Sequence, residues 1–158
     1  ICGGPQERGL RAGTESVHNI VGMTKALEIA DRNMEQEAKY VLSIKEYMIK
    51  SLRKLFPDIH FNGESGDIQK STYTILNVCF PISNEKAAML DFNLDLKGIA
   101  CSKGSACQSG SSEGSHVLSE IQSEDQKKFP SVRFSFSYDN KVNEVDYLIQ
   151  TLKELINT

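Results

Sequence analysis

Thr72-Tyr-Thr-Ile-Leu-Asn-Val-Cys-Phe80 is the stretch on which the fold class turns. It alternates in side-chain character and is rich in β-branched and aromatic residues, the pattern of a strand with one buried face. Cys79 falls within it as a small buried hydrophobe. Upstream the period changes. Val17, Ile20, Val21, Leu27, Met34, Ala38, Val41, Leu42, Ile49, Leu52 and Phe56 recur at helical spacing, with no proline before Pro57. This predicts one long helix, or two joined near Asp31 to Asn33. Thr14 is the expected N-cap, with Glu15 in the first turn. Pro57-Asp58 ends the run. A helix of this length often bridges two domains.

Nearer the strand, Ile59 to Phe61 reads as a second short strand and Asn62 to Ser71 as a polar loop. Downstream, Ser83-Asn84 caps an expected helix from about Glu85 to Leu94. Gly98 to Cys101 reads as a short strand, Ser115 to Ile121 as a short helix and Ser131 to Ser137 as a strand. Asn143 to Ile156 is an amphipathic closing helix, with Val145, Leu148, Ile149, Leu152 and Leu155 on one face. Helices and strands in this order predict an α+β architecture, a small sheet packed with helices.

A chain of 158 residues is long enough for a hydrophobic core. Its net charge of −3 gives no general nucleic-acid footprint. No apolar run is long enough to span a membrane, and the start has no signal-peptide pattern. The four cysteines, Cys2, Cys79, Cys101 and Cys107, do not form a disulfide-framework pattern, so a reducing, cytoplasmic setting is expected. Ile1-Cys2-Gly3-Gly4-Pro5 carries neither a strand nor a helix signal and reads as an interior segment of a longer protein.

The chemistry-bearing residues lie in three places. Gly98-Ile-Ala-Cys-Ser-Lys-Gly-Ser-Ala-Cys107 continues into Gln-Ser-Gly-Ser-Ser-Glu-Gly-Ser-His116. Cys107 thus stands among small polar residues that favour a solvated loop. It reads as a nucleophilic thiolate, with Lys103 able to lower its pKa at close range, or as a surface cysteine without a role. Cys101, after an apolar stretch, reads as structural. His116 is a general base for Cys107 or a capping residue, and His18 and His60 carry no clearer signal. A metal site of Cys101, Cys107 and His116 matches no common zinc spacing and lacks a fourth ligand, so no metal is assigned.

The second place is Arg133, which alternates with Val132, Phe134 and Phe136. A guanidinium in a strand needs a partner. A substrate carboxylate held by two parallel hydrogen bonds is one reading. An internal salt bridge or an edge position is the other. The third place is Gly13-Thr14 at the expected helix start, near Arg8 and Arg11. It is either a phosphate site or a plain cap.

These segments together resemble the cysteine desulfurases, within the class V aminotransferases. Gly-Gly-Pro-Gln-Glu-Arg-Gly-Leu-Arg-Ala-Gly-Thr-Glu at 3 to 15 is similar to that family's glycine-rich motif, and Asn19-Ile-Val-Gly-Met continues it. Leu96-Lys-Gly-Ile-Ala-Cys-Ser-Lys-Gly-Ser-Ala-Cys107 resembles its active-site loop. Ser-Glu-Gly-Ser-His-Val-Leu and Val-Arg-Phe-Ser follow in the same order. The resemblance is to the long-loop, NifS/IscS-like type that serves iron–sulfur cluster assembly. It implies a pyridoxal 5'-phosphate enzyme of fold type I, a homodimer, which removes sulfur from L-cysteine to give L-alanine. Cys107 would take the sulfur as a persulfide and pass it to an acceptor or scaffold protein. Arg133 would bind the substrate α-carboxylate, and Thr14 the cofactor phosphate of the other subunit.

The resemblance also has departures. The family's cofactor lysine lies upstream of the glycine-rich motif in a Ser-His-Lys segment, and no such segment occurs in these residues. Gly114 stands for a usual proline and Ser137 for a usual glycine. The expectation is therefore a C-terminal portion that is inactive in isolation. Residues 1–32 would end the large domain. Residues 33–158 would form the small domain, with the cysteine loop at about 101–115. The alternative is a sulfur-carrier or thiol redox module that is not an enzyme, the latter using Cys101 and Cys107.

Overall fold

A computed structural model describes residues 1–82, 89–103 and 115–157. The chain forms two compact units, Ile1–Gln36 and Glu37–Thr158. One continuous helix, α1 (Val17–Leu55), runs from the first into the second. No break occurs near Asp31 to Asn33. The helix begins two residues later than the Thr14 cap predicts. The Ile20 amide donates to the Ser16 carbonyl (3.0 Å), so Ser16 holds the capping position. Serine is as good a capping residue as threonine, which is why the residue types alone placed the start too early. Glu15 consequently falls outside the helix, and the first turn has no acidic residue.

In the first unit the helix keeps its apolar period without burying it. Val17, Val21 and Leu27 are all at least 62% exposed. In the second unit the same period is buried, at Val41, Ile44, Met48, Ile49 and Leu52. Ile44, Met48, Ile49 and Leu52 share one core with a three-stranded antiparallel sheet in the order β1 (His60–Phe61), β2 (Ile75–Cys79), β3 (Ser131–Ser135). Residues Leu76 and Val78 of β2 lie opposite Phe134 and Val132 of β3. All four are buried, and together they form the core face. Phe80, just past β2, meets Phe56 and Phe134 edge-on, with ring centroids 5.8 and 6.4 Å away. The closing helix, α4 (Val142–Asn157), covers the core with Val145, Leu148 and Leu152. The α+β architecture is thus the one the sequence pattern predicts.

Because side chains alternate along a strand, the other sheet face carries Ile75, Asn77 and Cys79 opposite Ser135, Arg133 and Ser131. This second face is polar apart from Ile75 and Cys79. The buried Cys79 thiol donates to the Gln126 carbonyl (3.5 Å), and burial pushes its pKa up.

Two shorter helices, α2 (Leu90–Leu96) and α3 (His116–Ile121), bracket the cysteine-bearing segment. Gly98 to Cys101 is not a strand. Gly98 has φ +74 and is the left-handed residue that closes α2. Its amide donates to the Asp95 carbonyl (2.8 Å), and the Ile99 amide to that of Leu94 (2.9 Å). These two N–H groups end a helix and cannot extend a ladder. Among the described residues of this stretch, strand pairing is confined to Ser102, which bridges Arg133.

One buried residue had no sequence signal. Lys45 of α1 is 0% exposed. Its Nζ donates to the Ser71 Oγ and to the Thr72 carbonyl, both at 2.7 Å, tying the 62–73 loop to the helix. Burial lowers its pKa from the ordinary 10.5. Between the folded value and 10.5 the unfolded chain holds more protons than the folded one, so this group makes stability rise with pH in that window. Lys45→Met removes the titration but strands the Thr72 carbonyl, at a cost of about 1–3 kcal/mol. Urea unfolding should show wild type gaining on the Met variant as pH climbs towards 10.5. A gap that does not change with pH would refute the assignment.

Candidate functional site

Arg133 lies in the middle of β3, on the polar face of the sheet. Its side chain is exposed and has no ion-pair partner among the described residues. The internal salt bridge that the sequence left open is therefore absent among those residues. The edge-strand reading is correct as to place, since β3 is the outer strand of the order β1-β2-β3. Its backbone is fully occupied. The Arg133 amide donates to the Ser102 carbonyl (2.8 Å), and the Ser102 amide donates to the Arg133 carbonyl (3.0 Å). Asn77 faces Arg133 across the other edge.

Cys107 lies outside the described residues, but both flanks of its segment are described. On the N-terminal side, Ser102 is bonded to Arg133, and the Lys103 Nζ stands 3.2 Å from the Asp91 Oδ1 on α2. The described partner of Lys103 is thus a carboxylate. Cys101 is half-buried against the core. Burial pushes its thiol pKa up, and the carboxylates of Asp91 and Asp95 add to this. That environment suits the structural role expected of Cys101 and disfavours a thiolate.

On the C-terminal side, Ser115 caps α3 by accepting from the Leu118 amide (3.4 Å). His116 follows the cap and is exposed, as are His18 and His60. Gln122 follows the last residue of α3. Its Nε2 donates to the Asn62 Oδ1 (2.8 Å) and to the Ser131 Oγ (2.9 Å). Asn62 Nδ2 in turn donates to the Asn77 Oδ1 and to the Ser131 Oγ, both at 2.9 Å. Ser131 is two residues before Arg133, on the same face of the same strand. Both flanks of the cysteine segment are therefore tied to β3. Sequence reading missed this amide cluster, because single Asn, Gln and Ser residues carry no spacing signal.

Thr14 belongs to the first unit. It stands in an exposed, irregular segment before α1. Glu7 and Arg8 there have positive φ (50 and 53), uncommon for side chains of this kind. Gly9 follows at φ 81, and the Gly13 amide closes the loop by donating to the Gln6 Oε1 (3.2 Å). Among the described residues the Thr14 hydroxyl and the Arg8 and Arg11 guanidiniums have no partner. A hydroxyl and two cations left open in one short loop form a donor set that fits a phosphate.

The aminotransferase class-V family model matches residues 4–148. The chain belongs to the aminotransferase class-V family. Among its relatives, a cysteine desulfurase IscS of Dictyoglomus turgidum is 34% identical over 156 residues, which is 99% of this chain and 38% of that protein. A cysteine desulfurase of Bradyrhizobium diazoefficiens is 35% identical over 159 residues, again 99% of this chain and 38% of the relative. A solved NifS-like protein superposes with a TM-score of 0.75 at 29% identity, over 99% of this chain and 38% of its own. One from Rickettsia africae gives 0.73 at 26% identity, over 100% of this chain and 39% of its own. The chain thus spans about two-fifths of the length of these class-V relatives. None of its described helices is long and apolar enough to cross a membrane.

Proposed function

We propose that this chain is the C-terminal part of a pyridoxal 5'-phosphate-dependent cysteine desulfurase. Residues 1–32 close the large domain, and residues 33–158 form the small domain. The observation that carries the reading is the Ser102–Arg133 bridge. It fixes the start of the cysteine segment beside an exposed guanidinium that has no ion-pair partner among the described residues. Arg133 holds the α-carboxylate of L-cysteine through two parallel hydrogen bonds, which orients the substrate sulfur. The Cys107 thiolate attacks that sulfur. An S–S bond forms as the C–S bond breaks, the electron pair of the broken bond stays with carbon, and protonation there gives L-alanine. The protein is left with a persulfide on Cys107. The cofactor, when bound, supplies the electron sink for this chemistry.

Thr14, with Arg8 and Arg11 supplying positive potential, holds the cofactor phosphate of the other subunit of a homodimer. The persulfide sulfur passes to a sulfur-acceptor or iron–sulfur scaffold protein in the cytoplasm, for iron–sulfur cluster assembly or other sulfur transfer. The Schiff-base lysine lies upstream of these residues, so residues 1–158 alone are inactive. The named relatives support the activity class. The test supplies the full-length protein that carries this chain with pyridoxal 5'-phosphate, L-cysteine and a thiol reductant. Alanine and sulfide should appear in equal amounts. Absence of alanine would refute the proposal.

A further inference from the structure

The six residues of α3 include none that is buried, and Val117 and Ile121 are more than half exposed. A helix this short with so little apolar burial is not held by the hydrophobic effect. What ties it down is polar. Gln122, directly after its last turn, spends both Nε2 protons on Asn62 and Ser131. Asn62 is itself buried at 7% exposure and passes the connection to Asn77, which lies opposite Arg133. Among the described residues no buried side-chain polar atom lacks a partner. The Asn62–Asn77–Gln122–Ser131 cluster is therefore a satisfied network, of the kind that specifies one arrangement rather than several.

We propose that this network is the positioning device for the C-terminal flank of the cysteine segment, with Gln122 as its key residue. This role rests on the desulfurase reading above. Ser102, on the N-terminal flank of the cysteine segment, is bonded to β3, and on the C-terminal flank Ser115 opens α3, which leads on to β3. The start is fixed by backbone bonds to Arg133, which no side-chain substitution removes. Among the described residues the return is tied to β3 by the side chains of Gln122, Asn62 and Ser131. Gln122 thus acts through α3 on the C-terminal flank of the segment that carries Cys107, without touching substrate.

The test uses the full-length protein with Gln122→Met, which keeps side-chain length but has no donor, and Ser131→Ala, which removes a shared acceptor. Two readouts are taken. Amide hydrogen exchange in residues 116–121 should rise by about tenfold in both variants while β2 stays protected. With L-cysteine, KM should stay within about twofold while kcat falls about tenfold, because Arg133 still binds but the attacking group is misplaced. A general loss of structure would instead raise exchange in β2 as well. Unchanged exchange in 116–121 would overturn the network as the anchor of α3. Raised exchange with unchanged kcat would overturn its positioning role. A wild-type protein that forms no alanine from L-cysteine removes the desulfurase reading, a different failure recognised before any variant is compared.

Discussion

Cys107→Ala in the full-length protein should abolish sulfide release from L-cysteine, by on the order of 10³-fold or more in kcat. The expectation follows from what the other cysteines cannot do. A nucleophilic sulfur must be a thiolate at neutral pH. Cys79 is fully buried in β2, donates its S–H to a backbone carbonyl and has a raised pKa. Cys101 is half-buried, and desolvation with two nearby carboxylates raises its pKa as well. A raised thiol pKa means less thiolate at pH 7, so neither substitutes for Cys107. Cys2 is exposed but lies in the other unit of the chain. Alanine and sulfide are measured together, and a brief alkylation at pH 7 is mapped by mass spectrometry in parallel. Sulfide production that survives the substitution would remove Cys107 from the reaction. Ready alkylation of Cys101 would revive the redox pair of Cys101 and Cys107, which needs a reactive thiol at both positions.

The long helix, β2, β3 and the closing helix were legible in the sequence because each shows a period, 3.6 or 2, sustained long enough to separate it from chance. Two readings failed where one residue can serve two devices. Gly98 looked like the start of a strand, yet its left-handed conformation closes a helix. Thr14 looked like a cap, yet Ser16, two residues on, takes that place. Periodicity also marks an apolar stripe without saying what covers it. Val41 to Leu52 is buried, while Val17 to Leu27 follows the same spacing in the open. For the site, the residue types in order pointed to Cys107, Arg133 and Thr14, but the connection between two of those regions was invisible. The Ser102–Arg133 bridge and the Gln122 amide pair residues about 31 and 9 positions apart through backbone and neutral side chains, which leave no pattern in a single sequence.

Arg133→Ala should lower kcat/KM for L-cysteine by about 10²–10³-fold. A charge-assisted hydrogen bond contributes about 1.5–3 kcal/mol, and a carboxylate held by two of them loses both; the lower end of that sum, about 3–4 kcal/mol for an exposed side chain, converts to that range. The same change should barely alter stability. The side chain is exposed on the face away from the core, and the strand is held by backbone bonds to Ser102 that alanine makes equally well. A shift within about 0.5 kcal/mol is expected from thermal unfolding. Arg133→Lys keeps the charge but loses the planar fork, and should recover only part of the activity. Cysteamine, which is L-cysteine without its carboxylate, separates binding from collapse of the site. Wild type should discriminate strongly in favour of L-cysteine, and the alanine variant should treat the two thiols alike. Equal losses for both substrates would mean that Arg133 supports the site without touching the carboxylate, and an unchanged kcat/KM would remove it from the site altogether.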